Sequence, residues 1–288
     1  MGEADRSFCS KKLQKVSIEK VFEVVKFLKR FIFHNRYIID WFSPDHMSLK
    51  SYQFHGDSIR DDLVERYNFD GDLAHIYVEG GQQLVHKWHH YLPIYDRYFS
   101  RWRGEPVRFL EIGVSKGGSI SMWRKYFGES ATIYGIDIDE ECSQYDGIDG
   151  CIRIGSQDDP EFLKAVIAEM GGVDIILDDG SHVMQHIKDT LNILLPMLES
   201  GGIYMIEDLH TAYWKKYGGG VFQRENFFNY AHDLIDDMHQ WYHHGLVRHP
   251  TVSEHCGSIH IYDSVCVIEK APLRRPVHSK VQLKQPPP

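Results

Sequence analysis

The chain has 288 residues, 42% of them hydrophobic and 25% charged, with a net charge of −9; that suffices for a full core in one large domain, or in one domain with a smaller appendage. The acidic balance argues against a nucleic-acid partner, which needs a basic surface, and no apolar run reaches the roughly 18 residues of a membrane-spanning helix. The opening MGEADRSFCSKK lacks a secretion signal, and the five cysteines (Cys9, Cys142, Cys151, Cys256, Cys266) show no paired metal spacing, so a reduced, cytoplasmic protein with packing thiols is expected.

In residues 17–33 the apolar positions Ile18, Val21, Phe22, Val25, Leu28, Phe31 and Ile32 recur at helical spacing behind Ser17, a good cap. Lys20, Lys26, Lys29 and Arg30 give this predicted helix a basic side; packing on the main domain or on a second subunit is preferred to a membrane contact, and a homo-oligomer is expected. Residues 44–83 read as loops and short helices. Histidines cluster in HKWHHY (His86, His89, His90) and WYHHG (His243, His244), without the cysteine or HxxxH partners of a zinc site. An amphipathic helix is predicted over 91–102, ahead of Gly104.

From there strands alternate with helices. VRFLEIGV, ATIYGIDI, CIRIGSQDD, VDIILDD and GGIYMIED read as strands, and SISMWRKYF, EFLKAVIAEM and HIKDTLNILLPML as helices between them. Alternation of this kind predicts βαβ units and a parallel, doubly wound α/β sheet of Rossmann type. SIHIYDSVCVIEK adds a hairpin turning at Asp263–Ser264, for seven strands in all. The expected organisation is an N-terminal helical extension and lid over 1–103, a catalytic domain over 104–270 and a disordered tail over 271–288.

Ligands of such sheets bind beyond the carboxyl ends of the strands. The first turn, Glu111-Ile-Gly113-Val-Ser115-Lys-Gly117-Gly118, is neither G-x-G-x-x-G nor a P-loop. A carboxylate there repels a pyrophosphate but suits a cationic ligand, and Asp137 at the tip of the second strand can take both hydroxyls of a ribose. S-adenosylmethionine fits these features better than NAD does. Strands four and five each end in paired acids, in DIILDDGSH and YMIEDLH. Asp179, Glu207 and Asp208 would converge if those strands are neighbours, and hard oxygen ligands suit Mg²⁺. Alternation turns Asp178 away from Asp179, toward the cofactor or a neighbour. Read as a plain turn, DDGSH would have Gly180 at positive φ and Ser181 capping the following helix, with His182 at the helix start.

E-I-G-V-S-x-G-G followed by G-I-D-I-D resembles the cofactor motifs of class I S-adenosylmethionine-dependent methyltransferases. LDDGSH, a helix, then GGIYMIEDLHTAYW, with HKWHHYLPIYDRYF upstream, resembles more narrowly the metal-dependent sugar O-methyltransferases of the mycinamicin and macrolide type, over roughly residues 84–270. The resemblance implies methyl transfer to a sugar hydroxyl of a small-molecule glycoside or a glycan, with Asp179, Glu207 and Asp208 on Mg²⁺ and His182 as general base. It implies Glu111, Gly113, Ser115, Gly117, Asp137 and Asp178 around the cofactor, with Ser156, Gln157 and Asp158 at its adenine. Lys87, His90 and Tyr91 are candidates for a lid, and Tyr213 and Trp214 for a sugar-stacking wall; each aromatic is equally a packing residue. The competing readings are an NAD-dependent sugar oxidoreductase or epimerase, which the missing G-x-G and Tyr-x-x-x-Lys disfavour, and a non-catalytic binding protein.

Overall fold

β1 (Arg108–Ile112) carries Phe109, Leu110 and Ile112, all buried, so it is apolar on both faces, as a strand covered on both sides must be. The computed structural model describes residues 24, 26, 43–243 and 245–282, and residues 43–288 form one unit. The helix expected over 17–33 therefore lies outside the described residues, Val24 and Lys26 apart, and so does His244.

Ahead of β1 lie helices α1 (Ile59–Tyr67), α2 (Asp72–Glu79) and α3 (Tyr91–Phe99), the last continuing as a 3-10 turn, Ser100–Trp102. Ser58 caps α1 by accepting the Asp61 N–H at 3.1 Å. Then follow α4 (Gly118–Phe127), β2 (Thr132–Asp137), β3 (Cys151–Ile154), α5 (Pro160–Met170), β4 (Val173–Asp178), α6 (Met184–Leu194) and β5 (Leu198–Ile206). α5 starts on Asp159, which caps the N–H groups of Glu161 and Phe162, with Pro160 in the first turn where its missing N–H costs nothing. After α7 (Phe227–Met238) and the short α8 (Pro250–Ser253), the hairpin β6 (Cys256–Tyr262) and β7 (Val265–Lys270) closes the sheet across a two-residue turn.

The strand order is β3-β2-β1-β4-β5-β7-β6, with β7 antiparallel to both of its neighbours, β5 and β6, and the other pairings parallel. β4 and β5 are hydrogen-bonded neighbours, as expected. The sheet is doubly wound. Phe109, Ile175, Leu177, Ile203 and Met205 face one apolar layer with α3 and α4, including the fully buried Tyr95, Phe99 and Trp123. Leu110, Ile112, Ile176, Tyr204 and Ile206 face the other with α5, α6 and α7. This two-residue alternation continues past the strand ends and sorts the acids of the site.

Two features depart from the sequence reading. Residues 215–253, left unassigned, contain α7, whose buried Phe227, Tyr230, Ala231 and Leu234 lie at helical spacing. The helix after strand four begins at Met184 and loses its regular pattern at Leu194, where a 3-10 turn takes over through Met197. The described part of the tail, 271–282, holds no helix or strand, though the Ala271 and Leu273 N–H groups bond back to the His255 and Glu254 carbonyls.

Candidate active site

A cavity of about 430 Å³ opens at the carboxyl ends of β1, β2, β4 and β5, lined by the turn after β1, Asp137, Ser156, Gln157, the 179–182 turn, Glu207, Asp208 and the 84–88 segment. At one end the chain after β1 turns tightly. Gly113 has φ +97°, and a Cβ there would stand 2.2 Å from the Asp179 carbonyl oxygen. Gly117, at φ +75°, precedes α4 and would set a Cβ 2.7 Å from the Tyr145 ring. Gly113→Ala should therefore cost roughly 1–3 kcal/mol in backbone strain, besides the clash, and abolish ligand binding at this turn. Thermal denaturation and calorimetric titration would read both effects.

Asp137 closes this end. Its Oδ2 accepts the N–H groups of Val114 and Ser115 at 2.9 and 3.0 Å, and its Oδ1 accepts that of Asp139 at 3.0 Å. Burial works to raise its pKa, but these backbone donors prevail and hold it below the usual carboxylate range. Asp137 is thus an anion with lone pairs left over, on a wall beside the exposed Ile138. An anionic, hydrogen-bonding floor next to an apolar surface fits a nucleoside.

Alternation along the strands divides the paired acids. Glu111, Asp179 and Glu207 share the face of Phe109, Leu177 and Met205, whereas Asp178 shares the opposite face with Ile112 and Tyr204. On the first face Lys87 meets all three. Its Nζ donates to Asp179 Oδ2 at 2.6 Å and Glu207 Oε2 at 2.9 Å and stands 3.8 Å from Glu111 Oε1. Burial opposes the charge, but the carboxylates of Asp179, Glu207 and Glu111 hold the Lys87 pKa well above its ordinary value. Glu207 also accepts the Tyr95 hydroxyl at 2.5 Å. Glu111 lies behind the cavity wall, bound by the Ser119 hydroxyl at 2.7 Å and the Trp123 indole at 3.4 Å; burial pushes its pKa up to about 7.

Asp178 likewise lies behind the wall. It accepts the Tyr204 hydroxyl at 3.1 Å and the Gln157 amide at 3.3 Å, and burial lifts its pKa to about 6. Gln157 Oε1 in turn accepts the Ser181 N–H at 2.6 Å, so this network fixes the turn that carries Asp179. Gly180 is required there for space rather than for positive φ. A Cβ would meet Gln157 Oε1 at 2.3 Å, and the left-handed residue of this turn is His182 instead, at φ +57°. Nor does Ser181 cap α6: the cap is Val183, with no side-chain bond, and His182 precedes the helix by two residues.

Asp208 is left-handed too, at φ +54°, and this rotation turns its carboxylate back toward His182 although Glu207 precedes it. Its Oδ1 accepts the Tyr91 hydroxyl at 2.8 Å and its Oδ2 stands 3.8 Å from His182 Nε2. Asp179 Oδ1 is 4.0 Å from the same nitrogen. Asp179, His182 and Asp208 each offer one ligand atom within 4.8 Å of the others, a set that could hold a metal ion. The hard oxygens of Asp179 and Asp208 suit Mg²⁺; the imidazole does not.

The remaining candidates spread out. Ser156 lines the cavity, but Asp158 pairs with the Ser156 hydroxyl and stands 3.7 Å from His186. Ser115 lines it at φ +51°, and Lys87 and Tyr91 form part of the opposite wall. His90 packs against Tyr91 and binds the Asp263 carbonyl; burial lowers its pKa. Tyr213 stacks on Phe228 at 5.7 Å, half exposed, while Trp214 is buried against His210 at 4.8 Å, so neither reaches the cavity. The sequence reading missed Trp88, which lines the cavity with a buried indole N–H that has no partner.

This sheet order, with its binding crevice at the strand tips, is the class I methyltransferase fold. Residues 110–209 match the family model described as a methyltransferase domain. The chain is similar to natural-product sugar O-methyltransferases. It is 34% identical to 8-demethyl-8-(2-methoxy-alpha-L-rhamnosyl)-tetracenomycin-C 3'-O-methyltransferase of Streptomyces olivaceus, over 69% of this chain and 54% of the relative. Identity to demethylmacrocin O-methyltransferase of Streptomyces fradiae is 35%, over 65% and 51%. The solved MycE methyltransferase of mycinamycin biosynthesis, in complex with Mg, SAH and mycinamycin VI, superposes with a TM-score of 0.63 at 28% identity, covering 76% of this chain and 62% of that one. The chain spans about half the length of these curated relatives.

Proposed function

We propose that this protein is an O-methyltransferase that moves the methyl group of S-adenosylmethionine onto a sugar hydroxyl of a small-molecule glycoside, assisted by Mg²⁺. One observation carries the reading. A single cavity joins a glycine turn and an anionic Asp137 at one end to Asp179, His182 and Asp208 at the other. The names of the relatives, sugar O-methyltransferases, and the Mg and SAH in the MycE complex support it.

S-adenosylmethionine supplies the electrophilic methyl group when bound, so the protein must hold the donor, orient the acceptor and take a proton. Asp137 and the backbone at Gly113 and Ser115 would hold the nucleoside, with Ser156 and Gln157 farther along the wall. Asp179 and Asp208, with Glu207 behind them, would hold Mg²⁺, whose charge acidifies a coordinated hydroxyl. His182, beside both aspartates, would accept the hydroxyl proton at Nε2. The 84–88 segment, with Lys87 and Trp88, would shut out water from the far wall.

Calorimetric titration of S-adenosylmethionine, with and without Mg²⁺, tests the reading. Binding in the presence of Mg²⁺, followed by methyl transfer to a member of a rhamnoside panel, is the expected result. Failure to bind under either condition, or preference for NAD in a thermal-shift comparison, would sink it.

A further inference from the structure

Two side-chain bridges join the loop after β3 to the turn after β4. Gln157 lines the cavity beside Ser156, on the wall proposed for the nucleoside, yet it is only 7% exposed. Its Nε2 donates to Asp178 Oδ1 at 3.3 Å and to Thr190 Oγ1 at 3.1 Å, which leaves Oε1 to accept the Ser181 N–H at 2.6 Å. With a carboxylate on one side and an N–H on the other, a single orientation of the amide satisfies both. The second bridge is His186, whose Nε2 stands 3.7 Å from Asp158 Oδ2 and whose Nδ1 stands 3.0 Å from the Ser181 hydroxyl. Thr190 meets both bridges. This residue of α6 is fully buried and does not line the cavity. Its hydroxyl lies 3.0 Å from the Gln157 carbonyl oxygen and 2.7 Å from that of His186. The turn so held supports itself poorly, since His182 is left-handed at φ +57° and no side chain caps α6.

We propose that Thr190, acting through Gln157 and His186, is a positioning residue that lets the cofactor's adenosine order the 179–182 turn. The cofactor then sets Asp179 and His182 for the cation and the acceptor. The inference rests on the reading of the β3 wall as the nucleoside site. A ligand packed on Ser156 and Gln157 removes freedom from the amide, and the amide holds the turn. The first ligand then meets the cost of ordering the turn, and the second binds more tightly. Such coupling is reciprocal, so Mg²⁺ must tighten the nucleoside by the same factor. A threonine inside a helix commonly bonds the carbonyl four residues back, and the His186 contact alone would be that. The Gln157 contacts run from α6 to a different loop and have no such local explanation.

The test uses the full chain, Mg²⁺, and 5′-methylthioadenosine, which is uncharged and so neither attracts nor repels the cation. Wild type should bind Mg²⁺ about 5- to 150-fold more tightly with the nucleoside saturating, the usual range of such couplings. Hydrogen exchange over residues 178–184 should slow with the nucleoside alone. Thr190→Val, which keeps the shape and loses the hydroxyl, should bind the nucleoside nearly as well. In it the Mg²⁺ factor should fall close to one and exchange should stay fast. Thr190→Ser, which restores the hydroxyl, should restore both. If the valine variant fails to fold, His186→Leu takes its place and should lower the factor in part. A merely structural threonine predicts a lower melting temperature with the factor and the exchange pattern intact. That result, or independent binding of the two ligands by the wild type, overturns the inference and leaves the functional reading standing. If the nucleoside binds and Mg²⁺ does not, exchange decides alone. Slowing in the wild type but not in Thr190→Val supports the inference, and equal slowing in both overturns it. If the wild type binds no nucleoside, the functional reading fails and takes the inference with it.

Discussion

His182→Asn should lower kcat by about 10² to 10⁴, the usual contribution of a positioned base, while leaving S-adenosylmethionine affinity unchanged. Asparagine is the informative replacement because His182 sits at φ +57°. Asn tolerates the left-handed region, whereas alanine would add backbone strain of about 1–2 kcal/mol and confuse the result. The same variant separates two roles for the imidazole. His182 Nε2 lies 3.8 Å from Asp208 Oδ2 and 4.0 Å from Asp179 Oδ1, which is near enough to join the metal set. As a ligand it would lower Mg²⁺ affinity when replaced. As a base it would lower kcat with Mg²⁺ affinity intact. Steady-state kinetics beside a metal titration decides, and unchanged kcat would remove His182 from the chemistry.

Asp208→Asn should weaken Mg²⁺ binding by roughly a hundredfold or more, as loss of one anionic oxygen ligand from a small set requires. The side chain keeps its size and tolerates φ +54°, and its carbonyl oxygen can still accept the Tyr91 hydroxyl, now at 2.8 Å. The change therefore isolates charge from fold. Activity should follow the metal and return in part at high Mg²⁺. Full activity at ordinary Mg²⁺ would show that the metal, if used, is held elsewhere.

Much of this arrangement was legible in the sequence because strands carry a short-range signal. The runs at 108–112, 132–137, 173–178 and 198–206 are apolar on both faces, so their carboxyl tips, and the acids there, could be placed without coordinates. Alternation also foretold that Asp178 and Asp179 part company. It would equally have split Glu207 from Asp208, had the left-handed turn at Asp208 not undone the count. That turn has no local signature. Lys87 was named from the sequence as a lid candidate, but its ion pairs were beyond reach for another reason: its partners lie 92 and 120 residues away, and no spacing rule spans a folded sheet. The stretch around α7 was missed although its periodicity was present. Tyr213 and Trp214 illustrate the reverse error, since adjacency to the acidic motif in sequence put neither on the cavity.

The ion cluster at Lys87 has a consequence for assembly. Glu111, Asp179 and Glu207 end three adjacent parallel strands, and each faces Lys87 only in the native alignment, in which Asp178 pairs with both Ile112 and Ile206. Sliding β5 by one residue along β4 would present Ile206 to the ammonium and bury Glu207 among the aliphatic side chains of the other layer. Both errors strand a charge in a dry interior, at a cost of several kcal/mol each. The cluster thus proofreads strand alignment. A misaligned sheet would be rejected electrostatically even where its hydrophobic pattern still fits.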